Sequence, residues 1–116
     1  MNKKEKRQLM IICGIVVFMQ IKWFISAINA PQRTMPSQAY NFFLILSSSG
    51  LIFGIVMLIA FLKNAPNYFY KNVPNLKEKF SLEYLKYSFL AASVFAIIGS
   101  LPFFIQVFIL KSIIIG

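Results

Sequence analysis

Polar residues are nearly absent from three long stretches of the chain, residues 9–29, 42–62 and 88–110. A helix rises about 1.5 Å per residue, so the shortest stretch covers roughly 31 Å, close to the hydrocarbon thickness of a bilayer. The second and third stretches contain no charged residue, and the first contains only Lys22. The pattern predicts an all-α membrane protein with three transmembrane helices. The intervening segments are too short for a soluble domain, so residues 1–116 are expected to form one polytopic integral membrane domain.

The connections carry their own signals. Residues 30–41 contain Pro31 and Pro36 among Gln32, Thr34, Ser37 and Gln38. Proline removes a donor and restricts the residue before it, so both flanking helices should stop there. So short a link should make the first two helices antiparallel neighbours. Residues 63–74 hold Pro66, Pro74 and several asparagines, a turn-forming composition. Within them, Tyr68, Phe69 and Tyr70 suit a headgroup layer.

Asn75 and Glu78 have the spacing of a helix capping pair. Leu76, Phe80, Tyr84 and Tyr87 then recur at helical spacing, with Lys77, Lys79, Glu83 and Lys86 elsewhere on the circumference. This predicts a short amphipathic helix over residues 76–87. It either lies on the membrane surface or extends the third span inward as a polar cap.

Charge sets an orientation. Hydrophobic residues make up 59% of the chain and the net charge is +9. Nine basic residues precede the first stretch or lie between the second and third, whereas only Arg33 and Lys111 fall on the opposite side. The positive-inside rule then places the N-terminus inside and the C-terminus outside. The basic residues flank apolar spans, so their expected partner is anionic lipid at the inner face rather than nucleic acid. Lys, Asn, Ile and Phe dominate residue usage, which suits an AT-rich genome and a bacterial inner membrane. Lys3, Lys4, Lys6 and Arg7 ahead of an apolar run resemble a signal peptide, but the run exceeds the usual signal core. Residues 9–29 are therefore read as a retained helix.

The chain has no His and no Asp, and its three Glu, at positions 5, 78 and 83, lie outside the stretches. A zinc site, a His-ligated haem, a carboxylate relay and a Ser-His-Asp triad all need residues that are missing. No catalytic, cofactor or metal residue is assigned, and an enzyme is not expected. Cys13, the single cysteine, is read as a small apolar packing residue.

Two sets of residues point to contacts. Gly50 and Gly54 lie one turn apart on one helix face, allowing close backbone approach. The third stretch offers Ala92, Ala96 and Ser100 at matching intervals, beside Gly99. The two stripes either face each other within the chain or meet another subunit. Pro102 should kink the third helix unless a neighbour, such as a serine of the second, satisfies the carbonyl it frees.

Gln20, Lys22, Ser47, Ser48, Ser49 and Gln106 occupy overlapping depths on three helices. Either Lys22 snorkels toward the interface beside Trp23 while Gln20 and Gln106 bond to backbone, or these groups form a polar, cationic pocket opening to the outer leaflet. No acid inside any stretch can pair with Lys22.

These features suggest a non-enzymatic subunit or accessory factor of a larger membrane assembly, bound to another membrane protein or to itself. In helix count and size the chain also resembles the larger holins of bacteriophages, which implies an oligomeric pore. Its basic start and apolar tail depart from their usual charge placement, and no residue role carries over. A small transporter, or a membrane immunity or regulatory protein, is the other alternative.

Overall fold

Helix α1 (Lys3–Asn29) begins six residues before the first apolar stretch. Lys, Glu, Arg and Gln are good helix formers. The Asn2 side chain also accepts a 2.8 Å hydrogen bond from the Glu5 N–H, capping the first turn. The helix stops before Pro31, which has no N–H to offer the Ala27 carbonyl. The computed structural model containing it describes residues 2–116, with Leu76 through its backbone alone.

A three-residue strand, β1 (Arg33–Met35), follows, and Pro36 opens helix α2 (Ser37–Leu62). Asn64 ends α2 in the left-handed region at φ 62°, a conformation that Asn tolerates better than most residues. Its N–H donates to the Phe61 carbonyl at 3.1 Å.

The segment expected to form turns contains a helix, α3 (Ala65–Asn72). Pro66 sits in its first turn, where a missing N–H breaks no intrahelical bond. Tyr68, Phe69 and Tyr70 ride on this helix, and Phe69 stacks on Phe89 with ring centroids 6.1 Å apart.

The expected amphipathic helix over 76–87 is divided. One turn, α4 (Leu76–Lys79), is followed by a break at Phe80 and Ser81. Ser81 then caps α5 (Leu82–Phe104), accepting from the Tyr84 N–H at 3.2 Å. Asn75 is left-handed at φ 67°, so it lacks the extended geometry of an N-cap and the Asn75–Glu78 capping pair does not form. Residues 82–87 instead belong to the first turns of α5. The side chain of Leu76, one position of the expected apolar face, lies outside the described residues.

Beyond Phe104 the helix widens into a π-helical turn (Ile105–Ile109), closed by the Leu110 N–H donating to the Ile105 carbonyl at 2.9 Å. The chain then forms strand β2 (Ile113–Ile115). The structure is mostly helical, and among the described residues three helices are long and apolar enough to cross a membrane: Lys3–Asn29, Ser37–Leu62 and Leu82–Ile109.

Helix α5 is the centre of the packing. It lies against α2 along most of their length and against α1 over a smaller area. The two helices joined by the short proline link therefore pack mainly on α5, not on each other, contrary to the expectation of close neighbours.

The ends of the molecule are chemically distinct. At one end the Ser81 hydroxyl donates to the Glu5 carboxylate, pinning the start of α1 against the start of α5. At the other, β1 and β2 pair in parallel, with Arg33, Thr34 and Met35 opposite Ile113, Ile114 and Ile115. The Arg33 N–H donates to the Ser112 carbonyl at 2.8 Å, and the Gly116 N–H to Met35 at 3.0 Å. A small core fastens this pair to the helices: Met35, Phe103 and Ile113 are buried together, with Tyr40, Leu44 and Val107 against them. We call these the basic end and the strand end.

Candidate functional cavity at the strand end

Because α1 and α2 both lean on α5, a gap remains between them toward the strand end. It forms a cavity of about 630 Å³. Helix α1 supplies Trp23, Ser26 and Ala27; α2 supplies Phe43, Leu46, Ser47 and Gly50; Phe95, Gly99 and Phe103 of α5 form the floor. The walls are mostly apolar. Their polar groups are few: Ser26, Ser47, Ser100 and Gln106, with Arg33 of β1 as the only charged residue.

Gln106 is the best-anchored of these. It is buried, and its side-chain N–H donates to the Ala27 carbonyl at 3.3 Å. That carbonyl lies in the last turn of α1, where no intrahelical donor is available. The Gln106 backbone carbonyl accepts in turn from the Ser112 N–H at 2.9 Å. One residue thus ties α1, the π-helical turn and the tail together.

Gln20 plays a similar part at mid-height, donating to the Phe95 carbonyl at 2.8 Å. Gly99 lies beside it, and a Cβ there would sit 3.4 Å from the Gln20 amide nitrogen, an ordinary contact.

Lys22 is elsewhere. Its side chain is exposed, does not line this cavity and has no ionic or hydrogen-bond partner among the described residues. It lies seven residues from the end of α1, roughly 10 Å along the axis. The cation of this cavity is Arg33, which the sequence pattern did not single out because it lies in a loop between spans.

Of the serines, Ser47 lines the cavity, Ser48 is half-buried beside it and Ser49 is exposed. None of the three makes a hydrogen bond among the described residues, so none takes up the carbonyl freed by Pro102. The helix instead continues through buried Pro102 and changes pitch over the next turn, a change that carries Gln106.

The small-residue stripes meet within the chain, displaced from the expected pairing. A Cβ on Gly54 would lie 2.6 Å from Ile97 Cγ1 and 2.8 Å from the Ser93 carbonyl oxygen. One on Gly50 would lie 3.8 Å from Ser100 Cβ and 3.9 Å from the Ala96 carbonyl. Ala96 and Ser100 therefore belong to the contact, whereas Ala92 is exposed and does not. Ser93 takes its place because its hydroxyl bonds back to the Leu90 carbonyl at 2.7 Å and so buries no unpaired polar atom.

No known protein family, curated protein or solved structure matches the chain.

Proposed function

We propose that this chain is a multi-pass integral membrane protein acting as a non-enzymatic accessory subunit, with α1 as the surface that docks a larger membrane protein. The carrying observation is that Lys22, exposed on a helix that buries only Ala27, has no ionic or hydrogen-bond partner among the described residues. A cation about two turns inside an apolar helix is unfavourable in lipid, by roughly 2.5–3.5 kcal/mol at mid-span and less near an edge. A carboxylate or carbonyl of a neighbouring helix at that depth would offset the cost.

In this reading the strand end faces outside and the basic end meets anionic lipid inside a bacterial inner membrane. Residues 82–87 form the polar cap of the third span there. The pairing of Gly50 and Gly54 with α5 leaves that motif occupied within the chain, which weighs against an oligomeric pore built on it.

Two measurements test the reading. Reporter fusions at Ser37, Asn72 and Gly116 should report outside, inside and outside; an inside result at Gly116 sinks the topology. A photo-crosslinking residue at Phe18 or Ile25, both exposed on α1, should give one discrete adduct with another membrane protein. Adducts only with a second copy would favour the pore, and adducts only with lipid would remove the docking role. Lys22→Arg should preserve the protein adduct and Lys22→Gln should weaken it.

A further inference from the structure

The cavity at the strand end has features that bear on a ligand rather than on a protein partner. Its volume of about 630 Å³ lies inside the roughly 300–1,000 Å³ range of small-molecule sites. It lies between two helices that barely touch, which gives it a side facing the surroundings of the helices as well as an end under β1. At that end stands Arg33, whereas neither Lys22 nor Lys111 lines the cavity. No acidic side chain is present there: the chain has no Asp, and Glu5, Glu78 and Glu83 begin α1, α4 and α5 at the basic end.

We propose that the cavity is a binding site for one anionic phospholipid, with an acyl chain between α1 and α2 and its phosphate on the Arg33 guanidinium. The chemistry matches on both counts. Aromatic and aliphatic walls suit a hydrocarbon chain, and guanidinium is the side chain best shaped for phosphate, through paired N–H donors. Ser47 lines the cavity roughly 15 Å along α2 from Ser37, alongside the acyl chain, and its hydroxyl makes no hydrogen bond among the described residues. Gln106 is committed to Ala27 and acts as the fixed back wall.

The chain contains a single tryptophan, Trp23, and it lines this cavity. Trp23 is 58% exposed, so doxyl-labelled phosphatidylglycerol or phosphatidylcholine in mixed micelles quenches it linearly by bulk contact, and occupancy of the cavity is read as a saturable component above that background. The expected result is saturable quenching by the anionic lipid at about tenfold lower concentration than by the zwitterionic one, the scale of one charge-assisted contact. Arg33→Gln should abolish that preference, weakening the anionic lipid more than the zwitterionic one, whose phosphate is already offset by its own choline. Lys111→Gln, which removes a cation of the same end outside the cavity, should keep the preference. Ser47→Phe should fill the space and leave both lipids at the linear quenching of bulk contact. Equal quenching of wild type by the two lipids would overturn the proposal. So would an equal loss of preference in the Arg33 and Lys111 variants, which would indicate a general surface field. Arg33 is exposed, so its variant tests the site even if Ser47→Phe fails to fold.

Discussion

The Gln106 side chain donates to the Ala27 carbonyl at 3.3 Å, joining residues 79 positions apart. The bond answers a local deficit, since α1 ends ahead of a proline and its last carbonyls have no helical donor. Gln106→Leu keeps the bulk of the side chain and removes the donor, leaving that carbonyl unsatisfied beside a buried apolar group. The expected cost is about 1–3 kcal/mol, read as a lower midpoint of thermal unfolding in mild detergent. A variant as stable as wild type would mean that the Ala27 carbonyl is satisfied by other means.

Gly50 and Gly54 should respond differently to the same change. At Gly54 a single methyl meets backbone atoms of α5 at 2.8 Å and 3.0 Å, which cannot swing away as a side chain can. Gly54→Ala should therefore separate α2 from α5 and destabilise the bundle by about 1–3 kcal/mol, the usual scale of overpacking. Gly50→Ala places its methyl in ordinary contact at 3.8 Å, and should be neutral or slightly stabilising because alanine is the better helix former. Equal effects at both positions would show that helix propensity, not close approach, governs this contact.

Much of the helical architecture was legible because its signals are local. Charge-free runs, prolines between them and glycines one turn apart are properties of neighbouring residues. The α1 and α2 ends at Asn29 and Leu62 coincide with the ends of the apolar runs. Their starts do not, because Lys3–Gln8 and Ser37–Asn41 are helix-compatible but polar.

What was not legible depends on distant partners. The tail isoleucines become a strand only because Arg33–Met35 lies alongside to pair with them. Arg33 becomes a cavity residue only once α1 and α2 part over α5. The split at Phe80 and Ser81 falls where Ser81 caps α5 and donates to Glu5 at the distant start of α1, a partner that spacing alone does not reveal. Gln20 and Gln106 stood out as polar residues in apolar helices, but their carbonyl partners on other helices could not be named from sequence.

The strand pair offers a contrast between adjacent residues. Ile113 is buried at 8% exposure against Met35 and Phe103, whereas Ile114 is 46% exposed. Ile113→Ala should cost about 2–5 kcal/mol, the range for truncating a buried aliphatic side chain. Ile114→Ala should change stability by no more than about 0.5 kcal/mol. Thermal unfolding of the two variants side by side checks this, and similar losses would place the tail outside the core at Phe103.

The register of α2 against α5 can be fixed by a covalent test. A Cβ on Gly50 would stand 3.8 Å from that of Ser100, matching the mean separation of about 3.8 Å in disulfides. With Cys13 replaced by serine, the pair Gly50→Cys and Ser100→Cys should oxidise readily to an intrachain bond. Reducing and non-reducing gels should then differ in the mobility of a monomer-sized band. The pair Gly54→Cys and Ala92→Cys should not oxidise, because Ala92 points away from α2 and Gly54 faces Ser93 and Ile97 instead. Rapid bridging of the second pair but not the first would shift the helices out of the described register. Dimer-sized bands from either pair would move the glycine contact to an interface between copies.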